Sequence, residues 1–156
     1  MRRAFFSSTL VLCLLSAALS VLAQAPEDPV HWKFSMEKGA GKAYTLHMTA
    51  NINDGWHIYA QVQPKTAISE PTRIVFTRSP LFVVHGKAKE VGKVEKQKIV
   101  EADIEQNMFR DKVDFVQSVE VKADVKASIS GTITYQACTD EMCLLPKTMP
   151  FSVELP

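Results

Sequence analysis

The sequence predicts an all-β protein, because most of it consists of short segments in which apolar and polar residues alternate with a period of two. These segments are rich in β-branched and aromatic residues, and turn residues such as Asn53-Asp54-Gly55 separate them. The best candidate for a helix, Glu101 to Phe109, is short. Many short strands at regular spacing favour a β-sandwich of immunoglobulin-like type.

Each predicted strand follows from this alternation. In chain order the strands are His31–Met36, Tyr44–Ile52, Trp56–Tyr59, Arg73–Phe76, Leu81–Val84, Gly86–Lys98, Lys112–Val121, Ser128–Tyr135 and Met149–Val153. The segment Gln61–Pro71, with Pro64 and Pro71, is predicted as a longer loop. Gly86–Lys98 is rich in Lys and Glu, so we expect an exposed edge strand or ribbon whose charges protect that edge.

The amino terminus has the order of charged, apolar and small residues that is typical of a secretory signal. We therefore predict a signal peptide at residues 1–23, cleaved after Ala23, and a single mature domain at residues 24–156. Cleavage after Ala25 is an alternative. An uncleaved membrane anchor is another, because the apolar run approaches the roughly 20 residues that span a bilayer.

Charge and cysteine content narrow the function classes. The chain has 18 basic and 17 acidic residues, and a near-neutral protein gives no electrostatic reason to expect nucleic acid as a partner. Of the three cysteines, Cys13 would leave with the signal peptide. Cys138 and Cys143 remain, and an even pair in an exported protein indicates a disulfide before a metal site. The four histidines are dispersed, so we predict no metal and no cofactor.

Cys138 and Cys143 flank four residues between a strand ending at Tyr135 and another near Phe151. Opposed positions on antiparallel strands have Cα atoms about 4.5 to 5.5 Å apart, within the reach of a disulfide. Closing so small a ring stabilises a fold by only about 2 kcal/mol in the chain-entropy model. The spacing suits a disulfide that opens without unfolding the domain, and a purely structural hairpin disulfide stays open as the alternative.

Asp140 and Glu141 lie between the two cysteines. Nearby carboxylates disfavour a thiolate, so we expect raised pKa values for the two thiols. The reduced pair would then react slowly until a partner desolvates and repositions it.

The run from Tyr135 to Thr148, Tyr-Gln-Ala-Cys, four residues and then Cys-Leu-Leu-Pro-Lys-Thr, resembles a known active-site region. It is similar to that of the N-terminal periplasmic domain of the DsbD-type thiol:disulfide interchange reductases. Asp54–Tyr59 resembles the family's strand of Asp-Gly, aromatic, any residue, aliphatic and Tyr, and Phe109-Arg110-Asp111 is a third match in the same order. The spacing between the cysteines differs by one residue from a common form of the motif.

The resemblance implies an immunoglobulin-like domain that receives electrons from a thioredoxin-like domain and passes them to periplasmic acceptors through transient mixed disulfides. By matching position, Cys138 and Cys143 are the redox pair, and His57 and Tyr59 line the site, with Tyr135 a further supporting candidate. Strand alternation puts His57 and Tyr59 on one face. The plainer interpretation makes His57 a surface or half-buried strand residue and makes both tyrosines ordinary core residues.

The chain departs from the family in two further ways. The family covers its disulfide with an aromatic-bearing cap loop, which should fall within Lys98 to Met108, where no aromatic occurs. A cap here would use aliphatic residues or borrow an aromatic from outside: Ile99, Val100, Ile104, Met108 or Phe109. The full reductases also continue into membrane and thioredoxin-like domains, whereas this chain ends at Pro156. We therefore expect a separate electron donor, a membrane-bound conduit or a soluble thioredoxin-like protein.

The leading hypothesis is a periplasmic thiol:disulfide interchange module that exchanges electrons with thioredoxin-like partners through Cys138 and Cys143. Whether the chain is itself an enzyme stays open, since the resemblance implies only a component of a protein-disulfide reductase. The alternative is an immunoglobulin-like binding domain with a structural disulfide. A hydrolytic enzyme is disfavoured, because no local motif such as a nucleophile elbow organises its Ser, His and Asp residues.

Overall fold

The computed structural model describes residues 27–122 and 128–155, and within them it contains β-strands and one turn of 3-10 helix. The strands are β1 Val30–Lys38, β2 Ala43–Ile52, β3 His57–Tyr59, β4 Arg73–Phe76, β5 Phe82–Ile99, β6 Ile104–Val121, β7 Ser128–Tyr135, β8 Ala137–Cys138 and β9 Lys147–Glu154. The predicted all-β class is confirmed. The predicted signal peptide, residues 1–23, lies outside the described residues.

The strands form two antiparallel sheets. The larger sheet has six strands in the order β1-β2-β6-β3-β8, with β5 paired to the other side of β6, and the smaller sheet has the order β4-β7-β9. Buried side chains from both sheets, such as Phe115 of β6 and Ile133 of β7, belong to one core cluster. The two sheets therefore enclose a common core, and the immunoglobulin-like sandwich is confirmed.

Aromatic side chains fill much of this core. Trp32 of β1 packs against Phe115 with ring centroids 5.7 Å apart, and Phe34 stacks on Phe151 of β9 at 5.4 Å. Each such ring removes a large apolar area from water, which makes aromatic pairs a main source of stability. The contact between β1 and β9 joins the two sheets.

One prediction about this pair of strands, the division of β5, was wrong in detail. Leu81–Val84 and Gly86–Lys98 are not separate strands, because a single strand of 18 residues, β5, covers both with two bulges. The segment Glu101 to Phe109, the short candidate for a helix, contains only the end of a 3-10 turn at Val100–Ala102, and β6 begins at Ile104. Its residues alternate in burial and pair with β5, so the period of two decides the structure. The predicted edge position of β5 is confirmed, because among the described strands it pairs with β6 alone.

The strand β6 changes its neighbour at Asp111, which has a left-handed φ of 60°. Before this point β6 pairs with β3, through Phe109 and Met108, and after it β6 pairs with β2 from Lys112 onward. Aspartate tolerates this backbone region better than most residues. The change leaves β3 and the two-residue β8 at one end of the larger sheet, where the cysteine loop emerges.

Candidate redox site

The end of the larger sheet where β3, β6 and β8 pair has two distinct faces. His57 lies directly opposite Cys138, and Tyr59 lies directly opposite Met108. Because side chains alternate across a strand, these four residues share one face, which we call the site face. The intervening Ile58 points the other way into the sandwich core. The predicted placement of His57 and Tyr59 on one face is confirmed.

Cys138 and Cys143 form a disulfide with their Cα atoms 4.0 Å apart. The pair is flanked by two backbone hydrogen bonds, from Leu144 N to Ala137 O at 2.9 Å and from Thr139 N to Met142 O at 2.8 Å. The four-residue loop of the sequence prediction is therefore a hydrogen-bonded hairpin. Its backbone is held by contacts that do not depend on the bond between the sulfurs.

The loop between the cysteines is further ordered by Thr139. Its hydroxyl oxygen accepts hydrogen bonds from the backbone N–H groups of Glu141 at 3.2 Å and Met142 at 3.1 Å. Threonine hydroxyls commonly close such local turns. On the other side, the Gln136 side chain donates to Leu144 O at 3.0 Å. Both ends of the hairpin are thus fixed to its own backbone.

The two sulfur-bearing residues differ in their access to solvent. Cys138 is 0% exposed, and it packs with Tyr59 and Met108 in a small apolar cluster on the site face. Cys143 is exposed, as are its neighbour Met142 and the nearby Leu145. One end of the disulfide is therefore buried in the sheet, and the other faces solvent on the rim of the loop.

His57 is buried, 1% exposed, rather than at the surface or half-buried. Its Nε2 atom lies 3.2 Å from the Tyr59 hydroxyl, and the two rings meet edge to face. Burial lowers the pKa of His57, and the positive charge of Arg110 lowers it further, while Asp140 and Glu95 act in the opposite direction. The net shift favours the neutral imidazole.

A charged cluster borders the site. Arg110, on the same face of β6 as Met108, donates a hydrogen bond to Asp140 at 2.6 Å and lies 3.4 Å from Glu95 of β5. The hydrogen bond from Arg110 lowers the pKa of Asp140 below its ordinary value. Asp140 is therefore an ion-paired carboxylate, which weakens the expected effect of this residue on the thiols. Glu141 stays exposed beside it.

Tyr135, the further sequence candidate, lies in the sandwich core, where it contacts Trp32 with ring centroids 5.5 Å apart. Its hydroxyl donates a hydrogen bond to Asp28, which also pairs with Lys147 at 2.5 Å. Burial, followed by the bond to Asp28, raises the pKa of Tyr135. The structure thus joins Cys138, His57 and Tyr59 in one group and places Tyr135 in another.

The cap residues considered from the sequence have different positions. Met108 covers Cys138 from within a strand, and Phe109 is 0% exposed in the sandwich core. Ile99 and Val100 are exposed at the far end of the β5–β6 hairpin. The buried side of the disulfide is therefore shielded by strand residues, and Cys143 keeps its exposure.

Sequence reasoning did not assign a role to Arg110 or Glu95. Arg110 occurs in the third family-like match, and its alternation with Met108 along β6 was the available signal. In the sequence, Glu95 is one of several charges on the predicted edge strand. Nothing local to the sequence connects either residue with a loop tens of positions away.

Among residues 27–122 and 128–155 there is no group of three or more His, Cys, Asp or Glu side chains arranged to hold a metal ion. These same ranges contain no helix that is long and apolar enough to cross a bilayer.

A comparison with protein families matches residues 23–155 to the family described as thiol:disulfide interchange protein DsbD, N-terminal. The chain belongs to this DsbD N-terminal domain family. The match covers every element of the sandwich and both cysteines, so the resemblance found in the sequence motifs is confirmed. The DsbD N-terminal domain is a periplasmic domain, and its family is one of thiol:disulfide interchange.

Solved structures similar to this DsbD N-terminal family member include two bacterial domains. The N-terminal periplasmic domain of ScsB from Proteus mirabilis aligns with a TM-score of 0.49 and 16% identity, over 85% of this chain and 48% of that chain. This chain thus spans about half the length of the ScsB chain. The reduced Neisseria meningitidis DsbD N-terminal domain aligns with a TM-score of 0.44 and 12% identity, over 84% and 89% of the two chains.

A third similar structure is the yeast GGA1 GAE domain, with a TM-score of 0.49 and 12% identity over 86% of this chain and 96% of that domain. A search of curated proteins finds no significant match to this DsbD N-terminal family member.

Proposed function

We propose that this protein is a periplasmic thiol:disulfide interchange module that works through reversible opening of the Cys138–Cys143 bridge. The observation that carries the proposal is the unequal exposure of the two cysteines on a hairpin that its own hydrogen bonds maintain. A bridge of this kind offers one sulfur to an incoming thiolate and keeps the other in the protein. The family supports the same chemistry.

The exposed Cys143 is the sulfur that a partner attacks. A partner thiolate approaches the Cys143 Sγ atom in line with the bridge and forms a new sulfur–sulfur bond to it. The Cys138–Cys143 bond breaks, and its electron pair leaves on the Cys138 Sγ atom. The partner is then joined to this protein through Cys143 as a mixed disulfide.

Cys138 acts as the resolving cysteine. When this protein is being reduced, a second thiolate of the partner attacks the partner's own sulfur in the mixed disulfide. Cys143 leaves as a thiolate, and both cysteines of this protein are then reduced. In the reverse direction, the Cys138 thiolate attacks Cys143, restores the bridge and releases the reduced partner. Each step exchanges one sulfur–sulfur bond for another and requires no cofactor.

The lining of the site supports this role. His57 and Tyr59 hold the buried end of the bridge, and Met142 and Leu145 form an exposed apolar rim beside Cys143. Thioredoxin-like proteins fit as partners because the family exchanges thiols with such domains. Tyr135 supports the site indirectly, by fixing the end of β7 that leads into β8.

We further propose that the chain is exported by a cleaved signal peptide at residues 1–23 and acts as the single domain 24–156. A separate polypeptide, such as a membrane-bound electron donor, would then supply its electrons. A periplasmic family agrees with that location.

A trapping experiment with purified proteins tests the exchange. The Cys138→Ala variant, with Cys13 also changed to serine, has its remaining thiol Cys143 activated as a mixed disulfide with thionitrobenzoate. It is then mixed with a thioredoxin-like protein that lacks its own resolving cysteine. We expect stoichiometric covalent capture, read as a mass increase that a reducing agent reverses.

The matched control is the Cys143→Ala variant, also with Cys13 changed to serine, which keeps only the buried Cys138. It should capture the same protein far more slowly. Capture by neither variant would favour the alternative, a binding domain with a structural disulfide. Faster capture by Cys143→Ala would reverse the assignment of the two cysteines.

A further inference from the structure

The buried His57 has an atom without a hydrogen-bond partner in the part of the chain that the structure describes. Its Nε2 faces the Tyr59 hydroxyl at 3.2 Å, whereas its Nδ1 is buried and unpaired. A neutral imidazole carries one donor and one acceptor, so one of these is unused. Burying an unpaired polar group is unfavourable, and such a group in a native fold calls for an explanation.

The unpaired atom belongs to the residue directly opposite Cys138. His57 and Cys138 are paired across β3 and β8, so their side chains stand on the same face with Cβ atoms about 5 Å apart. Tyr59, the partner of the other ring nitrogen, packs against Cys138 in the same cluster. The imidazole and the buried sulfur therefore share one enclosed space.

Opening the disulfide places a negative charge on the buried Cys138 sulfur. When a thiolate attacks Cys143, the bond's electron pair leaves on the Cys138 sulfur, and Cys138 is 0% exposed. A buried thiolate without water is strongly disfavoured unless a donor is directed at it. Met108 and Tyr59, its packing neighbours, form an apolar cluster with it.

We propose that His57 donates its Nδ1–H to the Cys138 thiolate when the disulfide opens, and so stabilises the leaving sulfur. This inference rests on the proposed function. The Tyr59 hydroxyl donates to Nε2 and fixes the tautomer with hydrogen on Nδ1. In the exchange step the partner's sulfur bonds to Cys143, and the electron pair of the broken bond passes to Cys138. The proton stays on Nδ1, and this N–H donates a hydrogen bond to the Cys138 sulfur.

The charges around His57 agree with a neutral donor. The groups that face it are Tyr59 on its own strand, Cys138 on β8, Arg110 on β6, Glu95 on β5 and Asp140 in the loop. Burial and Arg110 keep the imidazole uncharged, and Glu95 and Asp140 are themselves paired with Arg110. The same donor then serves the reverse reaction, because it increases the fraction of Cys138 that is a thiolate able to attack Cys143.

The test measures the thiolate of Cys138 directly. In the reduced Cys143→Ser variant, with Cys13 also changed to serine, Cys138 is the sole thiol, and ultraviolet absorbance of the thiolate against pH gives its pKa. Adding His57→Phe should raise that pKa and reduce the thiolate fraction at neutral pH about tenfold, since a hydrogen bond to a charged group is removed.

Two amide variants keep the test decisive if His57→Phe fails to fold. His57→Asn places a side-chain N–H close to the position of Nδ1, and His57→Gln reaches toward Nε2 instead. We expect His57→Asn to retain the pKa that Cys138 has beside His57, and His57→Gln to resemble His57→Phe. A purely structural role of His57 would not separate the two amides.

The inference would be overturned if Cys138 had the same pKa in the protein with His57, in His57→Asn and in His57→Gln. This failure is distinct from that of the proposed function, because capture by the Cys138→Ala variant does not involve Cys138. If the Cys138→Ala variant captures its partner while the His57 variants leave the pKa of Cys138 unchanged, the proposed exchange function stands. Only the role of His57 is then lost.

Discussion

Arg110 donates a hydrogen bond of 2.6 Å to Asp140, and this contact ties the middle of β6 to the loop between the two cysteines. A second carboxylate, Glu95, lies 3.4 Å from the same guanidinium. The cation is therefore shared between the edge strand and the loop. The positive charge of Arg110 offsets the negative charge of Asp140, which the loop sequence considered alone would leave uncompensated.

Replacing Arg110 with glutamine should slow the reaction of the reduced pair. Without the cation, the negative charges of Asp140 and Glu95 disfavour the Cys143 thiolate. We expect alkylation of Cys143 at neutral pH to slow roughly threefold, because solvent at this exposed site screens the charges. The measurement is the rate of iodoacetamide labelling of the reduced protein across a pH series.

The double variant Arg110→Gln with Asp140→Asn should recover most of the lost rate, because the uncompensated loop charge is gone. Arg78→Gln, at an exposed arginine, is the matched control and should label like the parent protein. If Arg110→Gln and Arg78→Gln label at the same rate, the ion pair has no influence on the thiols.

Reducing the disulfide should leave the domain folded. The two backbone hydrogen bonds around the cysteines do not require the bridge, and closing a ring of this size contributes about 2 kcal/mol. We expect urea unfolding of the reduced protein to give a free energy lower by about that amount, with an unchanged far-ultraviolet circular dichroism spectrum. Loss of the folded spectrum on reduction at room temperature would contradict this.

The buried His57 should make stability depend on pH below the ordinary histidine range. Burial lowers its pKa from 6.5, so below that pH the unfolded chain takes up a proton that the folded chain resists. The free energy of unfolding should therefore decrease as the pH falls from about 6.5 through the lowered folded-state value.

Urea unfolding at a series of pH values checks the effect of His57. The decrease should be smaller in His57→Asn, which does not titrate. His31→Gln, at an exposed histidine, is the control and should keep the parent's slope. A parent-like slope in His57→Asn would assign the pH dependence to another group.

Tyr135→Phe separates an indirect role at the site from a direct one. The substitution removes the hydrogen bond to Asp28 and keeps the ring in the core, so stability should fall by about 1 kcal/mol. The exchange rate of the folded protein with a thioredoxin-like thiol should change less than about twofold. A large loss of exchange rate at unchanged stability would show that Tyr135 acts on the cysteines directly.

Much of the fold was predictable from local pattern. Alternation located β2, β4 and β7 closely, because each is a strand with one face in the core and its register follows from that face. The long hairpin of β5 and β6 was harder to predict. Its residues are charged and weakly patterned, and only their pairing across Ile99 and Ile104 shows that both strands continue to the tip.

The site was predictable in its cysteines and less so in its surroundings. The spacing of Cys138 and Cys143 pointed to a tight hairpin bridge, which the structure contains. The burial of His57 and the contact between Arg110 and Asp140 depend on how β3, β6 and β8 align, which is a tertiary property. No spacing within the sequence specifies it.

The reduction potential of the Cys138–Cys143 bridge tests the central claim most directly. The folded protein is equilibrated with glutathione buffers of defined ratio, and the oxidised fraction is read by thiol labelling and mass. An exchange bridge predicts a potential above about −300 mV, within the range of thioredoxin-like oxidoreductases. A potential well below about −300 mV would contradict the account, because that value belongs to a structural disulfide that physiological thiols do not open.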